Sequence, residues 1–294
     1  MPYASCLLIS FIWGSNFILM NRAAQALGPV DIAVCRLWVG GGVLLMWWWW
    51  SDRQQLAARD WPHIALVALI GNTAPFVIVP LLVARDFGHS FFALMITFVP
   101  LITILSSVVL LRQWPTWRQM VGVLVGLAAL MTLFWEGLSR GITAPKLALA
   151  FTVPMVYALA NTYVRWKLAS APTIPMTSFF FLLGGLFLVP LWTSTEALQQ
   201  LSLVGPADPQ RWPASLASIA WLGIVGTGLA GVMFVRLIQT HGPLFAGMIT
   251  YLMPLVALGW GVYDHETITL RQMLAMTIVL ATVTMVQSSQ NEGR

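Results

Sequence analysis

Residues 64–84 read IALVALIGNTAPFVIVPLLVA, twenty-one positions with no Asp, Glu, Lys or Arg. At a rise of 1.5 Å per residue, a helix of that length covers about 30 Å, the thickness of a bilayer's hydrocarbon core. A membrane-crossing strand would alternate polar and apolar over about ten residues, and this run does not. Outward from it the pattern recurs. Uncharged windows cover 1–21, 87–111, 119–135, 147–164, 168–195, 212–235, 237–263 and 272–291, and 32–51 is interrupted only by Arg36. Ten windows fill the chain. The connections are short, the longest being 196–211 with Gly205, Pro206 and Pro209. The sequence predicts an all-α integral membrane protein of ten transmembrane helices.

Composition agrees. Of 294 residues, 59% are hydrophobic and 9% charged, against roughly a quarter charged in soluble domains. Ten acids and fifteen bases cannot cover a soluble globule of this size. The net charge of +5 would suit nucleic acid, but the bases punctuate apolar runs instead of clustering. Cys6 and Cys35 sit inside apolar windows and read as packed thiols, too few for a disulfide framework. The first window lacks a basic leader and a small-residue cleavage site, so it reads as a span and not a removable signal. Trp47-Trp48-Trp49-Trp50 closes the second window as an interfacial anchor.

The second half echoes the first. Ala93-Leu94-Met95-Ile96-Thr97-Phe98-Val99-Pro100 matches Ala246-Gly247-Met248-Ile249-Thr250-Tyr251-Leu252-Met253-Pro254, with one residue inserted before the proline. Arg118-Gln119-Met120 matches Arg271-Gln272-Met273, and Trp61-Pro62 matches Trp212-Pro213. Two five-span units meet near 137–146. Five is odd, so the second unit enters the membrane in the opposite sense, as in secondary transporters with inverted repeats. With the N-terminus inside, cytoplasmic loops hold eight bases and the opposite loops six. That is a small bias toward both termini in the cytoplasm.

The chain also resembles a known family. Trp13-Gly14-Ser15-Asn16-Phe17, then Pro29 and Arg36, is similar to the opening of EamA-type members of the drug/metabolite transporter superfamily. Pro254, Glu266 and Arg271-Gln272 resemble the end of that family's second repeat. Gln113 stands where the first repeat usually has an acid. The resemblance implies EamA-like repeats over 1–138 and 139–294. It is greatest to the YddG-type exporters of aromatic amino acids, and implies export of aromatic or apolar amino acids across the bacterial inner membrane.

The residues constrain mechanism. All ten acids lie in loops or at span edges. A pump exchanging protons for cationic drugs wants a carboxylate in the membrane. Phosphorylated cargo wants several bases. The four histidines are at span edges, and no zinc, serine-hydrolase or nucleotide motif occurs. An enzyme, a cofactor and an ATP motor are therefore not expected. The expected partners are a small-molecule substrate and the lipid bilayer, with no nucleic acid and no evident obligate protein partner. A proton-coupled multidrug or metabolite exporter is the alternative, and a membrane scaffold or sensor the non-transport reading.

Amides, hydroxyls and aromatics near prolines form the expected substrate site: Trp13, Asn16, Asn72, Phe76, Thr97, Phe98, Tyr157, Asn161, Thr227 and Tyr251. Each asparagine could instead tie two helices together. The expected lining is spans 1, 3, 4, 6, 8 and 9, and the expected hinges are Pro75, Pro100, Pro154, Pro254 and Gly226. Arg36 reads first as structural, snorkelling to the outer interface or bonding helix-terminal carbonyls. Gating, or pairing with a substrate carboxylate, is its functional alternative.

Overall fold

The computed structural model describes residues 2–51, 54–206, 208–266, 268–274, 277–278 and 281. Among them every regular element is helical. Seven helical stretches are long and apolar enough to cross a membrane, and Val99–Leu111 is a shorter apolar helix. Most of the expected tenth span, 272–291, lies outside the described residues, as do Arg53 and Arg294.

In order, the helices are α1 Pro2–Ala23, α2 Pro29–Trp50, α3 Trp61–Val67, α4 Ala74–Leu82, α5 Gly88–Ile96, α6 Val99–Leu111 and α7 Trp117–Ser139. Then come α8 Ala144–Lys167, α9 Thr173–Thr193, α10 Thr195–Gln200, α11 Trp212–Trp221, α12 Ala230–His241, α13 Pro243–Ala246 and α14 Ile249–Tyr263. Proline occupies the first turn of α2, α3, α4, α6, α8, α11 and α13. There its missing N–H costs no helical bond and its fixed φ suits the start.

Two devices shape the long stretches. The first is widened π turns at Ala68–Thr73 and Leu222–Leu229, which join α3 to α4 and α11 to α12. The second is a glycine break. Ala58–Ile96 is 39 residues long, about 58 Å of continuous helix, nearly twice a bilayer. Gly88, at φ +67°, divides it. A side chain would be strained in that conformation. Gly242, at φ +89°, breaks the corresponding stretch between α12 and α13.

Packing is reciprocal. α1 lies along α14 and α8 along α6, α2 packs on the second π segment and α9 on the first, and α2 pairs with α9. Small residues permit the α2–α9 approach: a Cβ on Gly41 would come 2.8 Å from the Leu182 side chain. There the Ser178 hydroxyl donates to the Gly41 carbonyl at 2.8 Å. Local detail is paired as well. A 3-10 turn precedes both Trp61-Pro62 and Trp212-Pro213. Thr97 and Thr250 each donate a hydroxyl to the carbonyl three residues back, at 2.6 and 2.8 Å. Trp47, Trp49 and Trp50 are exposed on the bundle's outside, as an interfacial anchor requires.

Candidate functional site: a central cavity between the helices

A cavity of about 160 Å³ lies among α1, α2, α3 and the first π segment with α4, the junction of α5 and α6, α8, α9, the second π segment with α12, and the start of α14. That is close to the roughly 150 Å³ that accommodates benzene in an apolar protein interior. Lining from α2 and α9 was not expected.

Seven of the ten expected site residues line it: Trp13, Asn16, Asn72, Phe76, Tyr157, Asn161 and Thr227. Three do not. Thr97 is 2% exposed and spends its hydroxyl on Leu94. Phe98 is buried with its ring 6.3 Å from Phe151. Tyr251 is buried off the cavity, while its neighbour Thr250 lines it. Of the expected hinges, Pro75 and Gly226 line the cavity. Pro100 sits in the first turn of α6 beside Gly247, and Pro154 and Pro254 lie inside α8 and α14.

The prolines act on the lining through the backbone. A proline inside a helix withholds an N–H from the carbonyl four residues earlier. Pro80 inside α4 and Pro254 inside α14 do this to Phe76 and Thr250, and both of those residues line the cavity. The glycines of the second π segment let neighbours approach its backbone. Trp13 Nε1–H donates to the Gly226 carbonyl at 2.8 Å. Gly226 faces the Asn16 amide so closely that a Cβ there would come 2.6 Å from Oδ1. Asn16 is 4% exposed, and its Oδ1 accepts no hydrogen bond. Aromatic rings supply the apolar wall. Trp13 meets Phe234 edge to face at 4.7 Å, and Phe76 lies 6.4 Å from Phe181.

Sequence reasoning left Arg36 at the interface, and the structure corrects this. Arg36 lines the cavity and is 8% exposed. Its Nε–H donates to Thr227 Oγ1 at 3.2 Å and its NH1 to Met20 Sδ at 3.3 Å. The guanidinium carbon lies 4.5 Å from the Phe76 ring centroid. No carboxylate lines the cavity among the described residues. A buried guanidinium reads as a snorkelling side chain in sequence because α2 is apolar nearly all round, which hides its facing.

Charges tie the far ends of the helices together. Arg22, at the end of α1, pairs with Asp264 beyond α14 at 2.5 Å. Lys146, at the start of α8, pairs with Asp86 before α5. Glu266 accepts from the N-terminus of α5. Each tie joins a residue of 1–138 to one of 139–294.

Apolar helices of bilayer length around a shared cavity are the build of a multi-pass membrane transporter. The EamA-like transporter family matches residues 1–135 and 145–287, and the chain belongs to that family. Protein PecM of Dickeya dadantii (strain 3937) is 25% identical over 290 residues, covering 97% of this chain and 90% of PecM. A solved crystal structure of a protein at 17% identity shares the fold with a TM-score of 0.66, over 97% of this chain and 95% of that one.

Proposed function

We propose that this chain is a secondary transporter that exports aromatic or other apolar amino acids across the bacterial inner membrane by alternating access, as a uniporter of the YddG type. One observation carries the reading: a buried arginine in a ring-walled cavity with no carboxylate lining it among the described residues. A neutral or zwitterionic aromatic finds ring faces there, with amides and hydroxyls for its polar end. A proton-coupled cation exchanger wants an acid in that position. The architecture in this reading is ten spans, as inverted five-helix repeats over 1–138 and 139–294, with both termini cytoplasmic. The reciprocal pairing of α1 with α14 and α8 with α6 supports it, because a pseudo-two-fold axis exchanges those pairs. Trp13, Asn16, Asn72, Phe76, Tyr157, Asn161 and Thr227 contact the substrate. Thr97, Phe98 and Tyr251 shape the wall behind it. Pro75, Pro100, Pro154, Pro254 and Gly226 bend as the halves rock.

The test is counterflow of labelled phenylalanine or tryptophan in liposomes holding only this protein, with and without a pH gradient. Exchange that ignores the gradient supports amino-acid uniport. Exchange that collapses with the gradient supports proton coupling. Absence of exchange with either amino acid removes the amino-acid assignment.

A further inference from the structure

Two unsatisfied polar groups meet the cavity from adjacent directions. Arg36 is the first. A guanidinium carries five N–H donors, and two are engaged, by a hydroxyl and a thioether. Neither acceptor carries charge, and the face of Phe76 supplies only a ring quadrupole. An arginine buried in a membrane bundle without a counter-ion is costly and marks a functional position. Its planar fork matches a carboxylate, two parallel N–H groups to two oxygens. Asn16 is the second. Its Oδ1 is a buried acceptor with nothing donated to it. The two converge on neighbouring residues of one π segment: Asn16 against Gly226, Arg36 on Thr227.

We propose that Arg36 and Asn16 form a head-group subsite that requires a carboxylate in the occupant. Arg36 takes the carboxylate through its free N–H groups, and Asn16 Oδ1 accepts from a donor one carbon away, an ammonium in an α-amino acid. The ring of the occupant then lies among Trp13, Phe76, Phe181 and Phe234. The substrate class is the aromatic carboxylates, of which amino acids are one kind, and aromatic amines are refused because they would put a second cation beside Arg36. This rests on the reading that the cavity is the transport site, and it narrows what that site accepts.

Ligand panels decide it. In counterflow, the wild-type protein should move phenylalanine and 3-phenylpropionate and leave phenethylamine at background. Arg36→Gln should lose at least tenfold for both acids, and Arg36→Lys should recover part, because a point charge remains without the fork. Asn16→Ala should weaken phenylalanine more than 3-phenylpropionate, which has no ammonium. Phenethylamine moved as well as phenylalanine by the wild type would overturn the proposal, and so would an Arg36→Gln protein that folds and exchanges normally. A binding arm separates this from the amino-acid assignment and needs no transport. Benzoate should raise the thermal unfolding temperature of the wild-type protein and benzylamine should not. If phenylalanine is not exchanged but benzoate still stabilises the protein and benzylamine does not, the amino-acid assignment fails and the carboxylate subsite stands. Equal shifts with benzoate and benzylamine would sink the subsite. The wild-type panels keep the test decisive even if Arg36→Gln fails to fold.

Discussion

Glu266 and His89 lie 177 residues apart, yet Glu266 Oε1 accepts the His89 backbone N–H at 2.9 Å. Oε2 accepts the next N–H, from Ser90, at 3.1 Å. A carboxylate from beyond α14 thus caps the N-terminus of α5, where unpaired N–H groups and the helix dipole favour an anion. Gly88 makes the approach possible: a Cβ there would stand 2.7 Å from Oε1. The His89 ring sits close by, with Nδ1 2.8 Å from Oε1. The contact lacks hydrogen-bond geometry, so both ring nitrogens remain without partners.

That cap gives a pH dependence. Burial pushes the Glu266 carboxyl up, but the adjacent His89 ring, Ser90 and the His89 backbone N–H together outweigh it and hold the group at about 2, against an ordinary 4.5. A depressed value stabilises the fold fully above about 4.5 and loses that contribution as pH falls toward about 2. The side chain is 23% exposed, so the gain is on the order of 1 kcal/mol after solvent screening. Thermal unfolding in detergent should therefore show the wild-type protein losing stability below pH 4.5. Glu266→Gln should be less stable at pH 7 and lose less on acidification. Parallel pH curves for the two proteins would contradict the cap.

Gly226 offers a test of the cavity without touching charge. Adding one methyl in Gly226→Ala drives a Cβ against the Asn16 amide. The amide can rotate, so the fold should survive with a small change in unfolding temperature. Substrate exchange should fall by roughly tenfold, the equivalent of ~1.4 kcal/mol of lost binding. A purified Gly226→Ala protein with unchanged exchange and affinity would show that this wall does not meet the substrate.

The proline kinks should matter for rate. Pro254→Ala restores an N–H able to bond the Thr250 carbonyl and straighten α14, and Pro100→Ala frees the fixed φ at the junction of α5 and α6. Both proteins should fold at least as well as the wild type. Exchange should slow severalfold, while the substrate concentration for half-maximal rate changes little, because a conformational step is affected. If both variants exchange at the wild-type rate, these prolines do not act as hinges.

How much of this could be read from the sequence differs by element. The helices were legible because uncharged runs of bilayer length leave few alternatives. The pairing of Thr97 with Thr250, and of Trp61 with Trp212, was legible because local sequence repeats and local bonds repeat with it. The facing of single residues was not. Phe98, in the turn between α5 and α6, and Tyr251, on α14, share the aromatic chemistry of Trp13 but are turned into packing. Arg36 sits on a helix with no polar face to show where it points. The Glu266 cap depends on a partner from the other end of the chain, and no spacing rule reaches that far.

The exchange of partners between halves bears on how the protein is made. α1 lies along α14, which begins more than two hundred residues later in the chain. At a synthesis rate of roughly 5–20 residues per second, α1 waits on the order of ten to fifty seconds for its neighbour. Early in that interval α6 also lacks α8, and the first π segment lacks α9, until those helices follow. The half-made protein is therefore a set of inserted helices with uncovered small-residue and polar faces. Its exposure to quality-control proteases, and its dependence on insertion factors, should be greatest before α8 and α9 emerge and should persist at α1 until α14 does.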